Sequence, residues 1–478
     1  MADAADNLLT LEPVAELLRR IGPDLPVRVS RAPGRLDVMG GIADYTGSLV
    51  CEATLACAAA VAVRQRRDRR VTIASLNLRD DHGEFMAEFS LDQLAGPIDD
   101  LRREISPSHR WAGYLAGCLA ILHEQKLLDL NDPALRGVDI TVLSTVPAGA
   151  GVSSSAAIEV ATMINLCAHF GVNVEPMKMA WLCQRVENRV VGAPCGIMDQ
   201  VSSCLGEEGA LLRMVCQPHT LQEPLKLPEG VRAIGINSRV KHSVAGGAYG
   251  RTRCAAFMAH RMILEKMREM GRAAGKELTA DPMGGYLANL DPDDFKRFFR
   301  PHLPEMMSGE NFLRTFGGTI DEATQVQSGE QYPVQHAADH HVLEARRVKN
   351  FVKFIEEAQS LPADSARRRH MLDRAGHLMY ASHISYTRDA MLGADECDLL
   401  VDLVRQREPK GLYGAKITGG GGGGTVAVLC DRSESADAAI AEIMSEYHRR
   451  TGHEPQALTG STPGAWRLGT QLLPAERS

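Results

Sequence analysis

Between residues 27 and 90 the apolar positions come in short runs broken by polar residues, VRVSRAPGRLDVMGG, VTIASLN and EFMAEFS, which is the pattern of a strand-rich opening segment. The period then changes. Trp111, Leu115, Leu119 and Leu122 recur at helical spacing and predict an amphipathic helix over 110–125, and VDITVLSTV predicts a buried strand over 138–146. Further helices are predicted over 153–169 and 176–189. Pro218, Pro224 and Pro228 cluster where a lobe boundary is expected, and VRAIGINS at 231–238 restarts strand character. Helical spacing dominates 249–272 and 341–407. Residues 275–335, rich in Gly, Pro, Asp and Gln, read as a loop-rich insertion with short helices. AKITGGGGGGTVAVLC near the C-terminal end reads as strand, glycine turn and strand. No repeat of 20–50 residues is visible, which argues against a solenoid. The mixture predicts an α+β protein of two lobes, 1–224 and 225–478, with the insertion in the second.

Composition narrows the class. With 478 residues, 44% hydrophobic and 24% charged, the chain can bury a sizeable core, and neither a small stapled scaffold nor a disordered chain fits. A formal charge of -7 argues against a broadly basic face for nucleic acid. The one dense basic run, Arg64 to Arg70, reads as a solvated strand end or turn. The 11 cysteines carry no CxxC pair, and several sit in apolar runs, as Cys57, Cys118 and Cys167 do. They read as reduced core residues, not as disulfides or a zinc site. The apolar stretch Ala53–Val63 is too short to span a bilayer, and the opening residues lack the pattern of a signal peptide, so a cytoplasmic location without a membrane partner is expected.

Four segments carry candidate chemistry. PAGAGVSSSAA, Pro147 to Ala157, lies between a predicted strand and a predicted helix. Small residues allow close backbone approach, and the free N–H groups of a helix start favour an anion, so Pro147, Gly149, Ala150, Gly151, Val152, Ser153, Ser154 and Ser155 form a candidate phosphate loop. A tight turn with serine N-caps is the structural alternative. No Gly-Lys-Ser/Thr follows, so it is not a Walker loop. The run Gly419–Gly424 contains GxGxxG but leads into β-branched TVAVLC instead of a helix, which removes the dinucleotide reading; Gly420 and Gly421 belong to a buried turn with positive φ or to a linker. APGRLDVMGGIADYTGS sets Arg35, Asp37, Asp44 and Tyr45 among glycines, groups that can bond a polyol or a phosphate. In CQRVENRVVGAPCGIMDQ, Glu187 falls on a helix and Asp199 follows a Gly-Ala-Pro-Cys-Gly loop, where it is a candidate general base or a helix cap. His336, His340, His341, His377 and His383 read as solvated or hydrogen-bonded side chains, and the methionines between Met258 and Met270 as core.

Taken together and in this order, these segments resemble the sugar-kinase branch of the galactokinase, homoserine, mevalonate and phosphomevalonate (GHMP) kinase superfamily, over about residues 28–430. NSRVKHSVAGGAYGRTRC, Asn237 to Cys254, is similar to the segment that carries a sugar-contacting tyrosine, here Tyr249. MGGIADYTGSLV, LYGAKITGG and the insertion around GGYLANLDPDDF look most like the arabinose-phosphorylating members. The resemblance implies a two-lobed kinase with its active site between the lobes, using ATP and Mg²⁺. It implies Asp199 and Arg35 as catalytic residues and Ser155 and Glu187 as magnesium ligands. Asp44, Gly41, Ile42, Cys195, Gly196 and Tyr249 would line the sugar, and Trp111 would lie near the nucleotide. A monomer or homodimer is expected.

One departure bears on the substrate. Where galactokinases have Gly-Glu-His-x-Asp-Tyr, with Glu and His near the C6 hydroxymethyl group, this chain has Gly40-Gly41-Ile42-Ala43-Asp44-Tyr45. A C6 hydroxyl would lose its partners, a cost of roughly 1–3 kcal/mol. L-Arabinopyranose has the ring-hydroxyl pattern of galactose and no C6, so phosphorylation of its anomeric hydroxyl is expected ahead of galactose, with galacturonate third. A sensor that binds sugar and ATP without turnover is the rival from another class.

Overall fold

The computed structural model describes residues 8–22, 26–105, 107–240 and 247–474. The first lobe is built on an eight-stranded sheet whose two long strands, β1 (Val27–Met39) and β2 (Leu49–Gln65), pair antiparallel along most of their length. β2 then serves two neighbours. Its first half pairs with β6 (Ala210–Val215) and its second half with β5 (Val138–Ser144). β3 (Arg70–Ser75) runs parallel to β5, β4 (Met86–Ser90) flanks β3, and β7 (Thr220–Lys226) flanks β6. The basic run Arg64–Arg70 is the turn from β2 to β3, and Arg66 there pairs with Asp68 and Asp139.

Four helices pack on this sheet: α1 (Gly113–Glu124), α2 (Ser154–Phe170), α3 (Pro176–Arg185) and α4 (Met198–Leu205). α1 and α2 are apolar nearly all round, because each is covered on several sides within one core that also takes Val61, Ile73 and Ile140 from the sheet.

The second lobe holds a four-stranded antiparallel sheet in the order β11 (Leu412–Ile417), β12 (Thr425–Asp431), β8 (Val231–Asn237), β13 (Gln456–Leu458). Around it lie α5 (Ala248–Ala273), α6 (Val334–Gln359), α7 (Ala366–Arg388), α8 (Asp395–Arg405) and α9 (Glu434–Thr451). The insertion contains short helical turns and a two-stranded ladder, β9 (Met307–Ser308) with β10 (Gln331–Tyr332), and has its own apolar core against α5 and α6 through Phe295, Phe312, Met258 and Val342.

The boundary expected after residue 224 falls inside β7. Pro224 is accommodated there because β7 is an edge strand that pairs only with β6, beside an irregularity in the ladder. The C-terminal end crosses back to the first lobe, where β14 (Thr470–Leu473) pairs with β1. A further core joins the lobes, with Leu36 and Val38 of β1 against Phe351 and Ile355 of α6 and Ala427 and Leu429 of β12. β1 is therefore the strand common to both lobes, and the residues that follow it are held from both sides. The 11 cysteines are all free, and nine are buried. No helix among the described residues is long and apolar enough to cross a membrane.

Candidate functional site

A cavity of about 250 Å³ opens between the lobes, and sequence segments far apart in the chain meet there. Of the residues singled out in the sequence, Arg35, Ile42, Asp44, Gly149, Gly151, Ser153, Ser154, Ser155, Glu187, Cys195, Gly196, Asp199, Tyr249 and Gly420 line it.

The phosphate loop is a backbone construction. Gly149, Gly151 and Ser153 all have φ near +70° or +60°, which turns the chain sharply into α2. Ser153 occupies the N-cap position of α2, yet its side chain caps nothing; its hydroxyl donates to Asp199 Oδ2 at 2.5 Å. The serine N-cap alternative therefore does not hold, and the first N–H groups of α2 keep their ability to bind an anion. Pro147, Ala150 and Val152 support the loop and do not line the cavity. The glycine run of the second lobe backs onto it. Thr425 Oγ1 donates to Ala150 O at 2.8 Å, and a Cβ on Gly424 would lie 2.5 Å from that same oxygen. Positive φ at Gly419 and Gly421–Gly424 makes this a buried turn and not a linker. Gly421 packs on Leu392 behind the wall, and Gly419, next to Gly420, faces in.

Asp199 stands in the first turn of α4, where the helix dipole favours a carboxylate. Arg35 Nε and Nη2 donate to its Oδ1 at 2.9 and 2.8 Å, and Arg35 Nη1 donates to Gly151 O at 2.7 Å. Burial opposes the charge of Arg35, but the carboxylates of Asp199, Glu52 and Asp37 outweigh it and raise its pKa. Glu52, fully buried on β2 with an oxygen 3.3 Å from Arg35 Nε, was not legible in the sequence, since a lone Glu inside a strand pattern carries no signal of its own.

Glu187 sits where α3 relaxes into a π-helical turn, Val186–Val191, a distortion frequent at functional sites. Burial and then Asp199 push its pKa up to about 7, against hydrogen bonds from Ser155, Cys195 and Gln200. The Gln200 amide also donates to Glu159, a buried acid whose pKa is raised by burial and by Glu187. These acids beside Ser155, whose ionised forms burial and mutual repulsion disfavour, are a donor set that a divalent cation would neutralise. Among the described residues no three His, Cys, Asp or Glu side chains are grouped to hold a metal.

At the other end, Asp44 is 4% exposed, and burial followed by Asp199 raises its pKa to about 7. A Cβ on Gly196 would lie 1.5 Å from Asp44 Oδ2, so only glycine lets the carboxylate occupy its place. Tyr249, second residue of α5, meets Tyr45 edge to face at 6.0 Å. Residues 241–246 of the segment Asn237–Cys254 lie outside the described residues.

Two assignments change. Gly41 does not line the cavity: its φ is +48°, and a Cβ there would lie 1.8 Å from the Tyr386 hydroxyl. That hydroxyl accepts the Ile42 N–H and donates to Gly419 O, both at 2.9 Å, which seals the space behind the turn. Trp111 packs against the first-lobe core from a 3₁₀ turn and does not line the cavity, whereas Tyr114 does. A buried ion pair, Lys416 Nζ to Asp37 Oδ2 at 2.5 Å, ties β11 to β1, and Asp37 also accepts the N–H groups of Gly41 and Gly419. His340, His341 and His383 are buried and hydrogen-bonded, while His377 is exposed. His341, for instance, bonds the Tyr45 and Thr46 hydroxyls.

Comparison with known proteins agrees with this geometry. Residues 114–207 match the GHMP kinases N terminal domain and residues 363–449 the GHMP kinases C terminal domain. An L-arabinokinase of Arabidopsis thaliana is 35% identical over 92% of this chain, which spans 46% of that protein's length. A galactokinase of Chloroflexus aurantiacus is 30% identical over 92% of this chain and 93% of its own. The crystal structure of Lactococcus lactis galactokinase complexed with galactose has the same fold, with a TM-score of 0.69 at 21% identity over 93% of this chain and 95% of that one. The chain belongs to the GHMP kinase family, on its galactokinase-like branch. It is an ATP-dependent sugar kinase of the galactokinase and arabinokinase type.

Proposed function

We propose that the chain transfers the γ-phosphoryl group of ATP to the anomeric hydroxyl of L-arabinose, giving L-arabinose 1-phosphate and ADP. The observation that carries the choice of sugar is the wall at 41–42. Ile42 faces the cavity, and the space behind Gly41 is filled by Tyr386. A C6 hydroxyl or carboxylate would meet the apolar Ile42 side chain there. A pentopyranose has neither group to desolvate.

In this reading the ring hydroxyls face Asp44 and Tyr249, and the ATP phosphates lie over Gly149–Ser155. Asp199 accepts the anomeric proton while the sugar oxygen forms its bond to the γ-phosphorus and the bond to ADP breaks. Arg35 fixes the Asp199 carboxylate through two N–H donors and places positive charge beside the transferred group. Ser155 and Glu187 would hold Mg²⁺, which supplies charge neutralisation for the phosphates when bound. Magnesium-ATP-dependent phosphorylation of L-arabinose, D-galactose and D-galacturonate, compared by kcat/KM, tests the assignment. Arabinose ahead supports it. Galactose ahead would keep the kinase and discard the account of Ile42.

A further inference from the structure

The insertion at 275–335 has no part in the reaction as described, yet it sends one buried charge to the edge of the cavity. Asp321 receives Arg253 in a two-point pair, Nε to Oδ2 at 2.9 Å and Nη2 to Oδ1 at 2.7 Å, with side chains 4% and 9% exposed. Asp321 is fixed in turn by the N–H groups of Ala323 and Thr324 and by the Thr324 hydroxyl at 2.5 Å. The remaining arm of Arg253, Nη1, donates to Cys195 O at 3.2 Å, and the guanidinium lies 4.9 Å from the centre of the Tyr45 ring. Cys195 precedes the glycine against which Asp44 rests, and Tyr45 follows Asp44. One guanidinium thus grips both segments that set the position of the Asp44 carboxylate.

We propose that Arg253 and Asp321 are positioning residues for the sugar, with Asp321 of the insertion locking Arg253 and Arg253 holding the Cys195 loop and Tyr45 so that Asp44 meets the ring hydroxyls. This rests on the sugar lying at the Asp44 end of the cavity, as in the reaction above. A rigid two-point pair leaves the guanidinium one geometry, which an ammonium would not reproduce. The charge acts as well. Among the described residues the ionisable groups around Asp44 are Asp199 from α4, Arg253 and Tyr249 from α5, Tyr45 beside it and Cys216 after β6, and Arg253 is the cation among these.

The test is steady-state kinetics of Arg253→Met, Arg253→Lys and Asp321→Asn across pH, with the sugar the wild type turns over best. Arg253→Met is expected to raise the sugar KM about 10-fold while the magnesium-ATP KM stays within about twofold. Its acid limb of kcat/KM for sugar should move to higher pH, because Asp44 loses the cation that favours its ionised form. Arg253→Lys should return that limb toward the wild type while leaving the sugar KM raised, and Asp321→Asn should raise the sugar KM without the upward move. Sugar and ATP constants that rise together with a fall in Tm would overturn the inference in favour of a purely structural pair. So would a sugar KM unaltered in both Arg253→Met and Asp321→Asn beside a normal wild type, and that result would leave the proposed reaction standing. A wild type inert toward every sugar would overturn the proposed reaction, and this inference with it.

Discussion

The two ends of the cavity are built in different ways. The phosphate end is a short piece of chain whose shape is set by backbone torsions, with left-handed residues at 149, 151 and 153 and a helix start behind them. The sugar end is assembled from side chains of four segments, with Ile42 and Asp44 after β1, Cys195 and Gly196 before α4, Tyr249 on α5, and Arg253 tied to the insertion. A backbone site leaves little to vary, since Gly149 and Gly151 hold positive φ values that other side chains rarely adopt. A side-chain site can change its ligand by exchanging one residue. The phosphate end therefore leaves little room for exchange, while the other end is where a substrate preference can be set by single side chains.

Asp199 joins the two ends, and its loss should have the largest effect. Asp199→Ala is expected to lower kcat by about 100-fold or more, with ATP affinity largely kept, as read by single-turnover phosphorylation and calorimetry. Unchanged turnover would remove the aspartate from the mechanism. Next in size is Gly196→Ala, whose methyl group takes the place of the Asp44 carboxylate. A displaced carboxylate should raise the sugar KM by about 10-fold or more while the ATP KM holds, and a parallel rise in both would erase the division between the ends.

Ile42→His should sharpen the division further, raising the galactose to arabinose ratio of kcat/KM by about 5–10-fold. Gly41→Glu, by contrast, should change no preference. It should lower Tm through its clash with Tyr386, a strain of about 1–3 kcal/mol. A stable Gly41→Glu variant with a new preference for galactose would show that the wall has been read wrongly.

The smallest effect concerns protons. Asp44 and Glu187 titrate near 7 in the folded chain and near 4 when unfolded, so the folded state holds protons that the unfolded state has released. Their contribution to stability is complete below about pH 4 and is lost as pH rises through 7. In the proposed reading Glu187 holds magnesium only when ionised, so magnesium-ATP should raise Tm more at pH 8 than at pH 6, as followed by differential scanning fluorimetry. The excess should vanish in Glu187→Gln, and an equal shift at both pH values in the wild type would detach Glu187 from the metal.

The legibility of the site in the sequence follows the same division. The phosphate loop and the glycine turn stood out as local runs of small residues, whereas the roles expected of Asp199 and Glu187 came from the resemblance of the segments taken together. The wall behind Gly41 was not legible. Its occupant, Tyr386, comes from a helix 345 positions away and carries no motif (386 − 41 = 345). Arg253 and Asp321 escaped notice for the same reason, as did Glu52, since a charge inside an apolar pattern declares itself only when its partner is known. The pattern of apolar positions located most of the long elements to within a few residues. It misplaced the first lobe's end because Pro224 sits on an edge strand, and it gave no hint that β14 returns to β1.

The central claim is that phosphate reaches the anomeric oxygen of a sugar held between Asp44 and Asp199. The most direct test is the product made from L-arabinose and magnesium-ATP, examined by phosphorus and proton NMR. Coupling of phosphorus to the anomeric proton, absent when Asp199→Ala replaces the wild type, is the predicted result. A phosphate on any other carbon, or ATP consumed with no phosphorylated sugar, would contradict it.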